Sequence, residues 1–428
     1  MKAATLICIG VSIAAVAHAG PAAAQTLAPG QGVADRPRPD YDPIGSRAGL
    51  FTLYPSVTTT AEATDNYLGT NTDRRTAAYL VVQPELYARG DFGLSRIDAR
   101  AFASQSVHAN LPRENATQFG ASATGAYEPV RDLQLRADVS ASRLVESRTS
   151  LATVQGTREP IRFDVLHVGA GASKRFVDLT VSGNVALDKR DFADARLRGD
   201  NSPLDQDFRD VRFVTAGGSV QYDLRNGIGL IVSGQYDDLH YLERDQSPGF
   251  IDGVPLNRDS SGFSLLGGVT LELSRLIFGT VQVGYLRRNY EDRRLDDFNG
   301  LSFNGDVLWN VTALTTLRFR ASRTVEDTSS PFVAGNTRSD FRASVDHELY
   351  RYVILSGEVG YGRFRPNITD ESVGFFGGDE YYAGVRARYL LNRRYTLSGG
   401  LRHARRSSDS RFLRFNATTA DVSLRVAF

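Results

Sequence analysis

The sequence predicts an all-β fold, a transmembrane antiparallel up-and-down β-barrel, and three observations predict it. Apolar and polar residues alternate with period two from about Leu50 to the end, the links between alternating segments are short and long by turns, and the last segment ends flush on Phe428. Successive side chains of a strand point to opposite faces, so such a strand offers one face to oil and one to water. No window keeps apolar spacing at three and four, which argues against long amphipathic helices.

The N-terminus reads as a cleaved signal over residues 1–24. Lys2 opens a short basic region, the apolar stretch 5–17 follows, and Ala22, Ala23 and Ala24 precede Gln25 in the small-x-small pattern of a signal-peptidase site. Ala17, His18 and Ala19 form a second candidate site, which would start the mature chain at Gly20. A membrane anchor needs about 20 apolar residues, more than the run before Pro21 supplies. The single cysteine, Cys8, lies inside this signal, so no disulfide, thiolate metal site or cofactor is expected. A lipoprotein reading fails because the apolar run follows Cys8 when it should precede it. Residues 25–48 are rich in Pro and Gly and read as an extended periplasmic lead-in, too short for a folded plug domain. Residues 49–428 form the barrel.

Fifty Lys and Arg against 49 Asp and Glu leave a net charge of +1, so no global field recruits nucleic acid. Lysine occurs only at positions 2, 174 and 189, which leaves the basic charge to arginine. Mean hydropathy is -0.27 and no later span resembles a helical membrane segment, a profile that alternating barrel strands also produce.

Counting alternating segments gives about 18 strands, with 16 as the next count, each near the ~9 to 11 residues a tilted strand needs to cross a bilayer. Residues 133–142, 177–188, 317–322 and 381–389 show the alternation most clearly. A soluble sandwich would share that pattern, so the connections must decide. Short links fall near 89–93, 129–132, 174–176, 225–227, 274–276, 312–313, 350–352 and 392–394. Longer polar stretches fall at 66–75, 108–114, 148–160, 189–210, 242–260, 291–300, 328–337, 365–379 and 406–414. Short periplasmic turns and long extracellular loops are the mark of an outer-membrane barrel. If the first strand rises from the periplasm, every long loop falls outside and the last strand descends. Aromatic residues cluster near segment ends, as amphipathic rings at headgroup depth would.

Projected inward, the polar faces place Arg136, Asp138, Asp178, Arg318, Arg320, Arg342, Asp346, Glu358, Arg386, Arg388, Arg402, Asp421 and Arg425 in the lumen. Charge on the lipid face would cost about 2 to 4 kcal/mol per group at mid-depth. These groups either pair into a ladder that stiffens the wall or line a passage that binds and releases a polar or anionic solute. A barrel of about 16 to 18 strands is too wide for its own side chains to fill, which favours the passage. An inward-folding loop could close it, with 189–210 and 242–260 the longest candidates. The mature chain's five histidines, at 108, 167, 240, 347 and 403, show no metal-ligand spacing and no marked nucleophile, so no catalytic residue is assigned and no enzyme is expected. Acidic pairs such as Glu291 with Asp292 read as solvated loop charge in preference to divalent-cation sites shared with lipopolysaccharide.

Asp42-Pro43-Ile44-Gly45, the run 49–57 (GLFTLYPSV) and Asp65-Asn66-Tyr67 resemble the first strand of the second putative β-barrel porin family. The resemblance is sharpest over about 30 residues of this region. It implies a bacterial outer-membrane location and, since such proteins are often associated with exopolysaccharide export, passage of polysaccharide as a conjecture. Expected partners are outer-membrane lipid, lipopolysaccharide, the barrel-assembly machinery and export-complex proteins. Val422, Leu424, Val426 and Phe428 resemble the terminal signal which that machinery reads. The rival readings are a non-conducting barrel that anchors an envelope assembly and an outer-membrane hydrolase.

Overall fold

Alternation of this kind leaves each strand with backbone groups to pair on both edges, and only closure removes the edges. The computed structural model shows that closure. It describes residues 30–428 apart from 152, 155, 225, 244–249, 252–253, 275, 327–332, 334, 368–376, 409 and 412. The signal segment, both cleavage sites and Cys8 lie outside the described residues, as do parts of the long loops.

Eighteen antiparallel strands form one closed sheet. In chain order they are β1 (Phe51–Thr64), β2 (Ala77–Asp91), β3 (Ser95–His108), β4 (Ala116–Val130), β5 (Leu133–Val145), β6 (Arg162–Phe176), β7 (Leu179–Phe192), β8 (Val211–Asp223) and β9 (Ile228–Tyr241). The other nine are β10 (Ser260–Leu273), β11 (Ile277–Tyr290), β12 (Phe298–Thr312), β13 (Thr315–Glu326), β14 (Gly335–Tyr350), β15 (Val353–Asn367), β16 (Gly378–Leu390), β17 (Tyr395–Ser408) and β18 (Phe415–Ala427). Each pairs with its sequence neighbour, and β1 meets β18 in a register running from Ser56 opposite Ala427 to Thr64 opposite Thr419. A short strand, Ser46–Ala48, folds back on residues 51–53.

The strands are longer than the bilayer minimum, from 12 residues in β13 to 16 in β14, so their ends stand clear of a hydrocarbon core. Long loops fall where expected. The turns at the other end are tight, and several run through the left-handed region at Asp132, Val177, Asn226 and Ser274.

One turn corrects the sequence reading. It lies at 177–178 instead of 174–176, with Val177 at φ 30°, a conformation a β-branched residue rarely adopts. Asp178 therefore sits in an exposed turn and is not on a lumen-facing strand.

The outer face carries the apolar residues. On β18, Val422 (57% exposed), Leu424 (41%) and the terminal Phe428 (64%) point out, while Asp421 and Arg425 take the other parity. The Phe428 amide donates to the Pro55 carbonyl at 3.0 Å, tying the terminus to β1. Rings gather at the turn end, where Tyr352 stacks on Tyr350 at 5.5 Å and meets Tyr389 edge-on at 5.6 Å. His347 and His403 lie on this outer face and bond Thr315 and Thr418, each at 2.9 Å.

The lead-in differs from expectation. Residues 31–39 do not trail away from the barrel but lie against its inner wall at the turn end. The Val33 amide donates to Thr316 Oγ1 at 2.8 Å, Asn310 Nδ2 donates to the Gln31 carbonyl at 3.0 Å, and Arg388 donates to the Ala34 carbonyl at 3.0 Å. Arg38 pairs with Glu348 at 2.9 Å, both side chains being 9% exposed. Leu308 and Ile354, two apolar residues at inward positions, are buried at this end of the lumen.

Candidate functional site: the charged lumen wall

Strand register decides which side chains meet inside the barrel, because residues directly opposite share a face. On β12 to β18 the inward positions hold Arg318, Arg320, Arg338, Arg342, Arg386, Arg388, Arg402, Arg406 and Arg425. On β6 to β9 the inward positions are mostly small or uncharged: Gly171, Ser173, Thr180, Ser182, Asn184, Thr215, Ser219, Gln221, Ser233 and Gln235. Ser182 and Ser219, directly opposite, share a hydroxyl bond of 2.7 Å. Guanidinium groups thus crowd one side of the lumen, most of them beside carboxylates on the same face, while hydroxyls and amides line much of the other.

At mid-depth on the charged side, Arg320 of β13 lies directly opposite Arg342 of β14, two like charges in register. Arg320 shares the single carboxylate of Asp306 with Arg318, at 3.3 Å. Arg342 donates to the Tyr382 hydroxyl and has no carboxylate partner among the described residues. Arg402 lies 4.3 Å over the Tyr382 ring and 3.9 Å from Glu358. The ring can lie flat on the wall because Gly360 stands opposite it; a Cβ there would come within 2.2 Å of the ring.

Below this cluster, Arg386 grips Asp421 with two bonds of 2.9 and 2.6 Å, and Asp346 accepts from Ser356 at 2.5 Å. Arg425 reaches Ser56 at 3.4 Å, and Arg388 is spent on the lead-in. Across the barrel Arg136 donates to Gln134 at 2.9 Å, and Asp138 belongs to a separate group in which His167 is held between Asp138 (2.6 Å) and Asp188 (2.8 Å). Except for Asp178, the residues projected into the lumen lie on the inward parity of their strands. They do not form one ladder but several separate clusters.

Sequence reading missed Asp306, Tyr382, His167, Asp188 and a network at the long-loop rim. There Glu380 accepts from Arg338 at 2.7 Å and Arg406 at 2.6 Å, and Arg406 also donates to the Thr149 carbonyl of the β5–β6 loop. Arg148 of that loop binds Glu114 at 2.9 Å, and Arg198 of the β7–β8 loop binds Glu114 and Asp73 at 3.3 and 3.1 Å. Parity could have found Tyr382 and Glu380, which share their face with Arg386 and Arg388.

In the β7–β8 loop, Asp210 accepts the Phe192 amide at 2.7 Å and is 8% exposed. Burial first, with Asp191 and Asp207 adding to it and the Phe192 amide and Lys189 opposing, pushes its carboxyl up to about 6. The folded loop therefore prefers the neutral acid: this stabilisation is complete below the unfolded value near 3.8 and is lost as pH rises through about 6. We expect the 195–210 loop to resist proteolysis better at pH 4.5 than at pH 7.5, by an amount on the order of 2 to 3 kcal/mol. Asp210→Asn, which keeps the acceptor, should weaken the dependence, leaving the smaller part that Asp207 contributes; equal cleavage of the native loop at both values would contradict it.

A family model described as Putative beta-barrel porin 2 matches residues 38–428. The chain belongs to this family. Membership makes it an integral outer-membrane β-barrel of the porin kind, so the tight turns are periplasmic and the long loops extracellular. No curated protein matches the sequence. Among solved structures, the chain is similar to Pseudomonas aeruginosa OpdK with vanillate, at 14% identity and TM-score 0.44, covering 88% of this chain and 99% of that one. It is similar also to P. aeruginosa OccK2 (OpdF) in complex with glucuronate, at 13% identity and TM-score 0.44, covering 88% and 98%. A mutant of the P. aeruginosa ferric enterobactin receptor PfeA matches at 8% identity and TM-score 0.47, covering 88% and 80%.

Proposed function

We propose that the barrel is a passive aqueous channel for a hydrophilic, anionic solute, with an exported acidic polysaccharide as its cargo class. The observation that carries this reading is the mid-depth cluster of Arg320, Arg342 and Arg402. Two of its guanidinium groups face each other in register, and Arg342 lacks a carboxylate among the described residues. Rings of side-chain charge set pore selectivity, and a wall with more cation than anion at mid-depth favours a passing carboxylate. The hydroxyl-rich opposite wall suits a sugar's own hydroxyls, each exchanging one hydrogen bond for another. Family membership supports the channel and does not name a cargo.

Around this channel we place a signal cleaved within residues 1–24, an apolar outer face against lipid and lipopolysaccharide, and a terminal Phe428 read by the assembly machinery. The experiment is efflux of galacturonate and of galactose from proteoliposomes holding the purified barrel. The acid sugar should leave faster although the rings are equal in size. Faster efflux of galactose would overturn the anionic reading. No efflux of either would favour the non-conducting anchor, which the lead-in seated in the periplasmic mouth recommends as the second reading.

A further inference from the structure

The lead-in is attached to the lumen in a way that separates it from the barrel itself. Pro37, Pro39 and Pro43 remove amide donors along it, so residues 31–43 add nothing to the sheet ladder, which the chain joins only from Ser46. Its links to the wall are single hydrogen bonds and one buried ion pair, Arg38 with Glu348, made to β12, β13, β14 and β16 and to the turns at Ala313 and Arg393. Its return to the barrel passes through Gly45, at φ 76°, where a Cβ would strike Tyr54 and the Leu53 carbonyl. The segment could thus leave the wall without breaking a barrel hydrogen bond.

Its position also matters electrically. Asp35, exposed inside the mouth, lies near enough to Arg318 and Arg388 to interact with both. These two arginines form the periplasmic end of the charged wall, where an anionic solute would enter or leave.

We propose that residues 31–39 are a strap that gates the periplasmic mouth, with Asp35 standing as a tethered carboxylate where the solute's own would bind. This rests on the channel reading. With the strap seated, the mouth is narrowed and Asp35 holds the anion position beside Arg318 and Arg388; with the strap released, both are available to the solute. The contact is an autoinhibitory one within a single chain, and it needs no second protein to operate.

The test is a reversible lock. A Cβ on Gly32 would stand 3.1 Å from Thr316 Cγ2, close enough for a disulfide between Gly32→Cys and Thr316→Cys, in a chain whose one native cysteine is Cys8. In planar bilayers the oxidised pair should show a low, quiet conductance without large openings. Dithiothreitol should restore the openings of the native channel. Deletion of residues 31–44 should give channels fixed at the higher level, without closures. Equal conductance in the oxidised, reduced and deleted forms would overturn the gate and leave the channel standing. Absence of conductance in all forms, the deletion included, would overturn the channel and the gate with it. If the deletion does not assemble, as judged by loss of the heat-modifiable band, the oxidised-to-reduced comparison decides alone.

Discussion

Replacing Arg342 and Arg402 together by alanine is expected to move the reversal potential of the channel toward cation preference. The two side chains flank Tyr382 at mid-depth, and Arg402 is the guanidinium nearest Glu358, at 3.9 Å. Removing both subtracts two positive charges and leaves Glu358 facing water. A unit charge about 4 Å away in water is worth about 1 kcal/mol, so the pair should change the anion-to-cation permeability ratio by up to roughly an order of magnitude. The effect calls for salt at or below about 0.1 M, where the screening length is still about 10 Å. Arg131→Ala, a change at a turn residue whose side chain is 95% exposed, is the control and should leave the ratio unchanged. An unshifted reversal potential in the double variant would mean that ions pass elsewhere than along this wall.

The second large effect is on stability. Glu380→Gln removes the one carboxylate that holds Arg338 and Arg406 together at the extracellular rim. Arg406 is 4% exposed and Glu380 19%, so the two guanidinium groups would face each other with little water between them. Breaking a buried ion pair by removing one partner costs about 3 to 5 kcal/mol, and partial hydration at the rim puts this case near ~3. Arg338 keeps Asp340 at 2.7 Å, whereas Arg406 keeps a hydrogen bond only to the Thr149 carbonyl among the described residues. The heat-modifiable band of the variant should therefore collapse at a lower temperature than that of the native barrel. The β5–β6 loop, which Arg406 tethers, should become easier to cleave. An unchanged transition would show that the triad contributes nothing net to the folded barrel.

Much of the fold was legible in the sequence because its signals are local. Period-two alternation marks each strand, and polar or Gly-rich links mark each end, so strand number, loop sorting and inward parity could all be read from neighbouring residues. The error at Asp178 has the same origin. Val177 continues the apolar alternation of 179–187, and nothing in the local pattern shows that it bends through φ 30° to close a turn.

The candidate site was legible as a face but not as a set of pairs. Arg386 and Asp421 could be assigned to the lumen one strand at a time, yet their bidentate bond depends on the register of three strands. The strap was the least legible feature. Arg38 and Glu348 are 310 positions apart, and no periodicity links them. A trace did exist in Leu308 and Ile354, apolar residues at positions whose parity called for polar ones, which signalled something covering the lumen wall at its periplasmic end.

The central claim is that one face of every strand meets water inside the barrel and the other meets lipid. It is tested most directly by single cysteines at Val385 and Arg386, neighbours on β16 with opposite faces. Val385 is 64% exposed on the outer wall, and Arg386 binds Asp421 within the lumen. In the reconstituted barrel a membrane-impermeant thiol reagent should label Arg386→Cys and spare Val385→Cys. Labelling of Val385→Cys as readily as Arg386→Cys would contradict the placement of the charged wall and of the strap that covers its end.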